Sequence, residues 1–264
     1  MRAIELEGVE NVRYLGGIPV SGWREVARGL LLRGAALAGM TEADRQLLFG
    51  DLGVRCVIDL RCGWERQAHP TPAHPGVDDL HIPFYDRDIV GIEYTEPAAG
   101  TRVVGRDVAC DPDHFYRSLA NPLTVGQMAR CLDEVLARVT RGVPVYQHCS
   151  SGKDRTGIMA LLVLAVLGAE PTAILDDYLL TNVSRDRNYQ QAFERFLVFA
   201  QGDEERAHEL TRAHRARPEN LDAFHEAVCE RYGSMTALLE GPLGVTAERR
   251  AQARAACTVE APAR

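Results

Sequence analysis

Lysine is almost missing from this sequence: of its 30 Lys and Arg residues, only Lys153 is a lysine. Long apolar runs are missing as well. The longest, Gly157 to Ala169, falls short of the roughly 20 residues that cross a bilayer, so no transmembrane segment is expected. Met1 to Arg13 alternates acidic and apolar residues and offers no signal-peptide core. An excess of positive charge is also absent. A formal net charge of −7 argues against a nucleic-acid binder, which carries a basic face, and any phosphate group must be held by local charge. Paired cysteines are absent too. The seven (Cys56, Cys62, Cys110, Cys131, Cys149, Cys229 and Cys257) are odd in number and form no CxxC, which speaks against a disulfide framework and a zinc site. A reducing cytoplasm is the expected compartment, with no metal and no cofactor implied.

What is present is the pattern of an α/β protein. Short runs rich in Val, Ile and Leu at Gly29–Arg33, Val54–Leu60, Leu80–Phe84 and Val143–His148 read as strands. Thr41–Leu52 opens on a capping Thr and reads as a helix, and Leu123–Val139 carries a helical apolar stripe. Strands separated by helices predict a mostly parallel sheet flanked by helices. Beyond Thr156 the pattern is helical, with segments Pro171–Asn182, Asn188–Ala200, Glu204–Arg215, Pro218–Tyr232 and Thr246–Ala256. We read residues 1–264 as a single domain whose 171–264 portion is helical. The polar, Gly- and Pro-rich stretch Asp86–Pro122 is long for a connection and reads as a lid or substrate loop.

Chemistry concentrates in VPVYQHCSSGKDRTGIMALLVLAVLGA, Val143 to Ala169. A strand, a loop from Cys149 to Arg155 and an apolar helix beginning near Thr156 would aim backbone N–H groups and a helix N-terminus at one spot. That makes an anion site, and the same field favours a thiolate. Arg155 would close over the loop and grip two phosphate oxygens, and Gly152 would let the backbone approach the anion. The lone lysine falls inside this loop, where a compact ammonium differs from a guanidinium. A Walker-type nucleotide loop fails on spacing: Gln147 stands where its first Gly belongs, and Asp154 where its Ser or Thr belongs.

HCSSGKDRTG resembles the active-site loop of the protein tyrosine phosphatase superfamily, in particular bacterial tyrosine and lipid phosphatases whose loop reads HC-x-x-GKDRTG. The likeness extends along the chain. NVRYLGG is similar to that family's NFRDLGG, with Val12 and Tyr14 in place of Phe and Asp. GLLLRGAAL is similar to its RSGAL segment, VIDLRCGWE to its DLR-x3-E, DDYLLTN to the helix after the loop, and RYGSMTALLEGPLGV to its YGS element. The resemblance implies a phosphatase-like α/β fold and a nucleophilic Cys149 that forms a phosphocysteine. Ser150, Ser151, Gly152, Lys153, Asp154 and Arg155 would then hold the phosphate. It favours Asp154 as general acid, with Asp86 in HIPFYD as second candidate. His148 is expected to orient the loop, Thr156 to hydrogen-bond the sulfur, and Asp59, Arg61 and Glu65 to form a structural ion-pair arrangement. The implied substrates are phosphotyrosine proteins, with phosphoserine, phosphothreonine or phosphoinositides beside them. The alternatives are a small phosphate ester from a biosynthetic pathway and a non-catalytic phosphate-binding module.

Overall fold

The apolar segments assemble around one short strand. The structure is a computed structural model and describes residues 2–85, 112–187 and 189–262. Its strands are β1 (Arg13–Tyr14), β2 (Pro19–Val20), β3 (Arg24–Val26), β4 (Leu31–Gly34), β5 (Cys56–Asp59), β6 (Asp78–His81), β7 (Val145–His148) and β8 (Thr258–Glu260). A five-stranded sheet runs in the order β1-β4-β7-β5-β6. All its pairs are parallel except β1 with β4. Every residue of β4, β5 and β7 is buried, as expected of parallel strands covered on both faces.

Helices provide the cover. Pro122–Val139 turns Val125, Met128, Leu132, Val135, Leu136 and Val139 into the core. It begins where the Asn121 side chain accepts from the Leu123 and Thr124 amides, with proline at the first turn. Asp154–Leu167, apolar from Ile158 onward and almost wholly buried, ends at Gly168 with φ 84°, the left-handed cap that glycine adopts without strain. These helices share the larger apolar cluster with β5 and β7 residues such as Ile58 and Val145. A smaller cluster (Leu32, Leu48, Phe49, Val54, Val57 and Tyr146) fills the other face. Each such side chain stabilises the fold by about 1.5–3 kcal/mol. The expected mixed α/β architecture with a mostly parallel sheet is therefore observed.

Several details differ from expectation. The Thr41–Leu52 segment is one α-turn, Glu42–Arg45, with a Thr41–Asp44 capping box, followed by a π-helical stretch Gln46–Asp51. Pro171–Asn182 divides into helices Pro171–Leu179 and Thr181–Arg187. A second sheet, β2-β3-β8, pairs Arg24 with Glu260 and so joins distant parts of the chain. Strands of two or three residues carry no alternation by which sequence could reveal them. Within the expected lid, residues 86–111, Asp86 and Cys110 included, lie outside the described residues. Its end, Pro112–Ser118, is a helix that packs on the helix Pro218–Tyr232. Among the described residues no helix is long and apolar enough to cross a membrane.

Candidate active site

The end of β7 delivers Cys149 between β4 and β5, with His148 paired to Gly34 on one side and Asp59 on the other. This is the carboxyl edge of a parallel sheet, where α/β folds place their ligands. The turn from Cys149 to Lys153 then leads into the helix Asp154–Leu167. Gly152 has φ 68°, and a Cβ there would meet the Gly34 carbonyl at 2.4 Å. Both the backbone conformation and the close packing therefore demand glycine.

The turn's carbonyls are held from outside, one by one. His148 Nδ1 lies 3.0 Å from the Cys149 carbonyl oxygen. The Ala36 amide donates to Ser150 O at 3.1 Å. Asn11 Nδ2 donates to Ser151 O at 3.0 Å, and Arg33 Nη2 donates to Gly152 O at 2.8 Å. In a trans peptide the N–H of the next residue points opposite to the carbonyl. Pinning these four oxygens outward therefore turns the amides of Ser150, Ser151, Gly152 and Lys153 inward, which builds an anion nest. The helix N-terminus adds its own field to the same spot.

Two ion clusters brace this loop. On the β4 side, Asp177 accepts from Arg33 Nη1 at 2.7 Å, Arg13 Nε at 3.2 Å and Arg2 Nη1 at 2.8 Å. Burial, reinforced by Arg33, lowers the Arg13 guanidinium to about 10. Burial opposes ionisation of Asp177, yet Arg13 and Arg33 override it and hold the carboxyl below its ordinary range. On the β5 side, Asp59 binds Arg61 through Nε at 2.9 Å and Nη2 at 2.6 Å. Glu65 grips Arg155 in a fork, Oε2 to Nη1 at 2.5 Å and Oε1 to Nη2 at 2.9 Å. The Ser150 hydroxyl and the Cys62 amide donate to the same carboxylate. Burial opposes its ionisation too, and the Arg155 charge with these hydrogen bonds holds Glu65 well below the usual carboxylate range. The expected ion-pair arrangement is thus corrected: Asp59 pairs with Arg61, whereas Glu65 reaches across to the loop arginine.

The Arg155 guanidinium lies 5.1 Å from the centre of the Tyr85 ring. Besides the Glu65 fork, Arg155 Nη1 lies 3.5 Å from the Leu60 carbonyl oxygen and 3.9 Å from Cys62 Sγ, and Nη2 lies 3.4 Å from Ser150 Oγ. Asp154 Oδ1 is ion-paired with Lys153 Nζ at 3.2 Å and accepts from the Tyr116 hydroxyl. Lys153 Nζ also donates to the His214 carbonyl at 2.9 Å. His148 is fully buried, and desolvation lowers its pKa despite the opposing Asp59 charge. It is therefore neutral and braces the loop. The Thr156 hydroxyl is buried without a hydrogen-bond partner, so the bond to the Cys149 sulfur expected of it is not made. The buried thiols of Cys56 and Cys257 are pushed up to about 12 and about 11 by desolvation, as suits inert core cysteines.

The structure thus gathers Cys149, Ser150, Ser151, Gly152, Lys153, Asp154 and Arg155 in one place, with His148 and Thr156 directly beneath. Glu65, Tyr85, Asn11, Arg33 and Asp177 join them from motifs whose destinations sequence does not show, and Tyr116 joins them from the irregular stretch Asp86–Pro122, where no motif marks it. The signal for Glu65 was available: it stands three residues after Cys62, whose amide it caps at 2.9 Å, and so had to sit at a helix start.

The family model described as "Tyrosine phosphatase family" matches residues 4–259. The triple specificity protein phosphatase PtpB of Mycobacterium tuberculosis is 28% identical, covering 89% of this chain and 92% of that one. A protein of Cupriavidus necator provisionally named a tyrosine-protein phosphatase is 26% identical, covering 92% and 84%. Among solved structures, the core catalytic domain of the PP-IP phosphatase SIW14 from S. cerevisiae aligns with TM-score 0.36 and 14% identity, covering 67% of this chain and 78% of that one. With the family model spanning nearly its whole length, the chain belongs to the tyrosine phosphatase family, and so to the phosphoric monoester hydrolases.

Proposed function

We propose that this chain hydrolyses phosphate monoesters through a phosphocysteine on Cys149, acting on phosphotyrosine proteins and also on phosphoserine, phosphothreonine or phosphoinositide substrates. The observation that carries the reading is the braced loop. Four outward-pinned carbonyls turn four amides toward one point beside Cys149, and Arg155 stands ready on its Glu65 fork. The sulfur attacks phosphorus in line while amides and guanidinium neutralise the equatorial oxygens, which is where charge redistributes in the transition state. Asp154 gives a proton to the leaving oxygen in this step and takes one from the attacking water in the next. The breadth of substrate is supported by the name of the triple specificity relative and by the cation of Lys153 beside the loop.

The reading includes one phosphatase domain, in keeping with a family match over residues 4–259 and an apolar cluster that runs from Leu15 to Cys257. It also includes a reducing, cytoplasmic setting, in keeping with six unpaired cysteines among the described residues. The test is phosphate release without added metal from phosphotyrosine peptide, phosphoserine peptide, phosphoinositides, and sugar and nucleoside phosphates, with Cys149→Ser as the blank. Release by wild type alone is expected, with phosphotyrosine or phosphoinositide preferred. Equal release by Cys149→Ser would refute the mechanism, and preference for a sugar or nucleoside phosphate would refute the substrate class.

A further inference from the structure

The Asp154 carboxylate ends a chain of buried hydrogen bonds whose direction is fixed at both ends. The Tyr116 hydroxyl reaches Asp154 Oδ1, the Tyr178 hydroxyl lies 2.7 Å from that of Tyr116, and Asn220 Nδ2 lies 2.8 Å from that of Tyr178. A carboxylate can only accept, so Tyr116 donates to it. The Tyr116 oxygen then accepts from Tyr178, which leaves the Tyr178 oxygen to accept from the Asn220 amide, a group that can only donate. Three helices, Pro112–Ser118, Pro171–Leu179 and Pro218–Tyr232, supply the three links. Tyr116 and Tyr178 are each 1% exposed and Asn220 is 2% exposed, so water does not compete for these bonds. Burial, reinforced by Asp154, pushes the Tyr116 phenol well up, and it stays a donor wherever an enzyme works. None of the three takes part in gripping the loop.

Resting on the reading of Asp154 as general acid, we infer that Tyr116 is a positioning residue for proton transfer: its hydroxyl occupies Oδ1, fixes the plane of the carboxyl, and leaves Oδ2 to carry the proton. The other groups facing this carboxyl are Lys153 Nζ at 3.2 Å and, behind Tyr116, Tyr178 with Arg33 beyond it. As the sulfur–phosphorus bond forms, the phosphorus–oxygen bond to the leaving group breaks. The proton on Oδ2 passes to that oxygen, and the resulting carboxylate is stabilised by Tyr116 and Lys153 through Oδ1. In the second step water attacks phosphorus and gives a proton to Oδ2 while the sulfur–phosphorus bond breaks, which releases inorganic phosphate and restores the Cys149 thiolate, so the cycle closes with bonds and protons balanced.

The experiment compares pH profiles of kcat/KM for phenyl phosphate, whose leaving oxygen needs a proton, and 2,4-dinitrophenyl phosphate, whose leaving oxygen does not. In Tyr116→Phe the carboxylate loses a hydrogen bond, which favours its protonated form. The basic limb of the phenyl phosphate profile is therefore expected to move to higher pH. The rate on phenyl phosphate should fall about tenfold further than the rate on dinitrophenyl phosphate, because the carboxyl is no longer aimed. Equal losses on both substrates with an unmoved limb would overturn the inference and leave Tyr116 a packing residue. Asp154→Asn separates the underlying reading: loss of the basic limb upholds Asp154 as the acid, whereas its survival refutes that reading and the inference with it. Should Tyr116→Phe fail to fold, Tyr178→Phe is expected to move the limb in the same direction by less, and no movement there would count against the chain.

Discussion

Two buried ion clusters grip the Cys149–Lys153 loop from either side of β7, and they are built on different plans. Around Asp177, three arginines converge on one carboxylate, and the spare donor of Arg33 goes to the loop's backbone. Around Glu65, one carboxylate meets one arginine in a fork, with longer contacts from Arg155 to the Leu60 carbonyl and the Ser150 hydroxyl. The first cluster ties down the backbone of the loop, and the second holds the side chain that we propose grips the phosphate. A charge buried for shape should appear mainly in stability, and a charge buried for presentation mainly in rate.

Substitutions can break that contrast, and the largest effect is expected at the hub. Asp177→Asn strands Arg13 and Arg33 with no compensating charge, which costs about 3–5 kcal/mol. Urea denaturation at neutral pH would register it as a lowered midpoint. Arg155→Lys keeps the charge but cannot satisfy Glu65 and a phosphate together. We expect kcat/KM to fall by about 10²–10³-fold, with a melting temperature much closer to wild type than that of Asp177→Asn. Glu65→Gln removes half of the fork's charge while preserving its shape. Its expected cost is about tenfold in kcat/KM, since an arginine held loosely must be ordered by the substrate; steady-state kinetics with p-nitrophenyl phosphate would measure it.

Acid sharpens the comparison with the smallest effect. Both carboxyls are held below their ordinary range in the folded protein. The stability they contribute is fully present above the unfolded carboxyl pKa of about 4. It is lost as pH falls through that value toward the lower folded one. Folding stability should thus begin to decline near about pH 5 and keep falling below about pH 3, and Glu65→Gln should decline less steeply because one of the two groups no longer titrates. A decline equally steep in the variant would remove Glu65 from the account.

The contrast between the clusters also marks how far sequence could be read. Cys149, Gly152 and Arg155 stood out because strand, turn and helix are contiguous there, although Asn11, Arg33, Ala36 and Glu65 hold them from elsewhere in the chain. β4, β5 and β7 were legible as short buried runs, whereas the expected strand Leu80–Phe84 is found as Asp78–His81, an exposed to half-buried edge strand. Glu65 was visible as part of DLR-x3-E, but the choice between Arg61 and Arg155 as its partner is made across the sheet. Asp177 stood in a recognised DDYLLTN, yet its three arginines come from Arg2, β1 and β4. Tyr116 lay in the segment with the least periodicity, and its hydrogen-bond partner Tyr178 stands 62 residues further along the chain. The sheet β2-β3-β8 escaped because its strands are too short to show a pattern.

In the proposed mechanism the Cys149 sulfur is the atom that takes the phosphoryl group. Acid quench of wild type during turnover of 32P-labelled phosphotyrosine peptide, followed by peptide mapping, tests this directly. The predicted result is label on the peptide that carries Cys149, discharged when turnover is allowed to finish and missing from Cys149→Ser. Label on another residue, or turnover by Cys149→Ser at the wild-type rate, would contradict it.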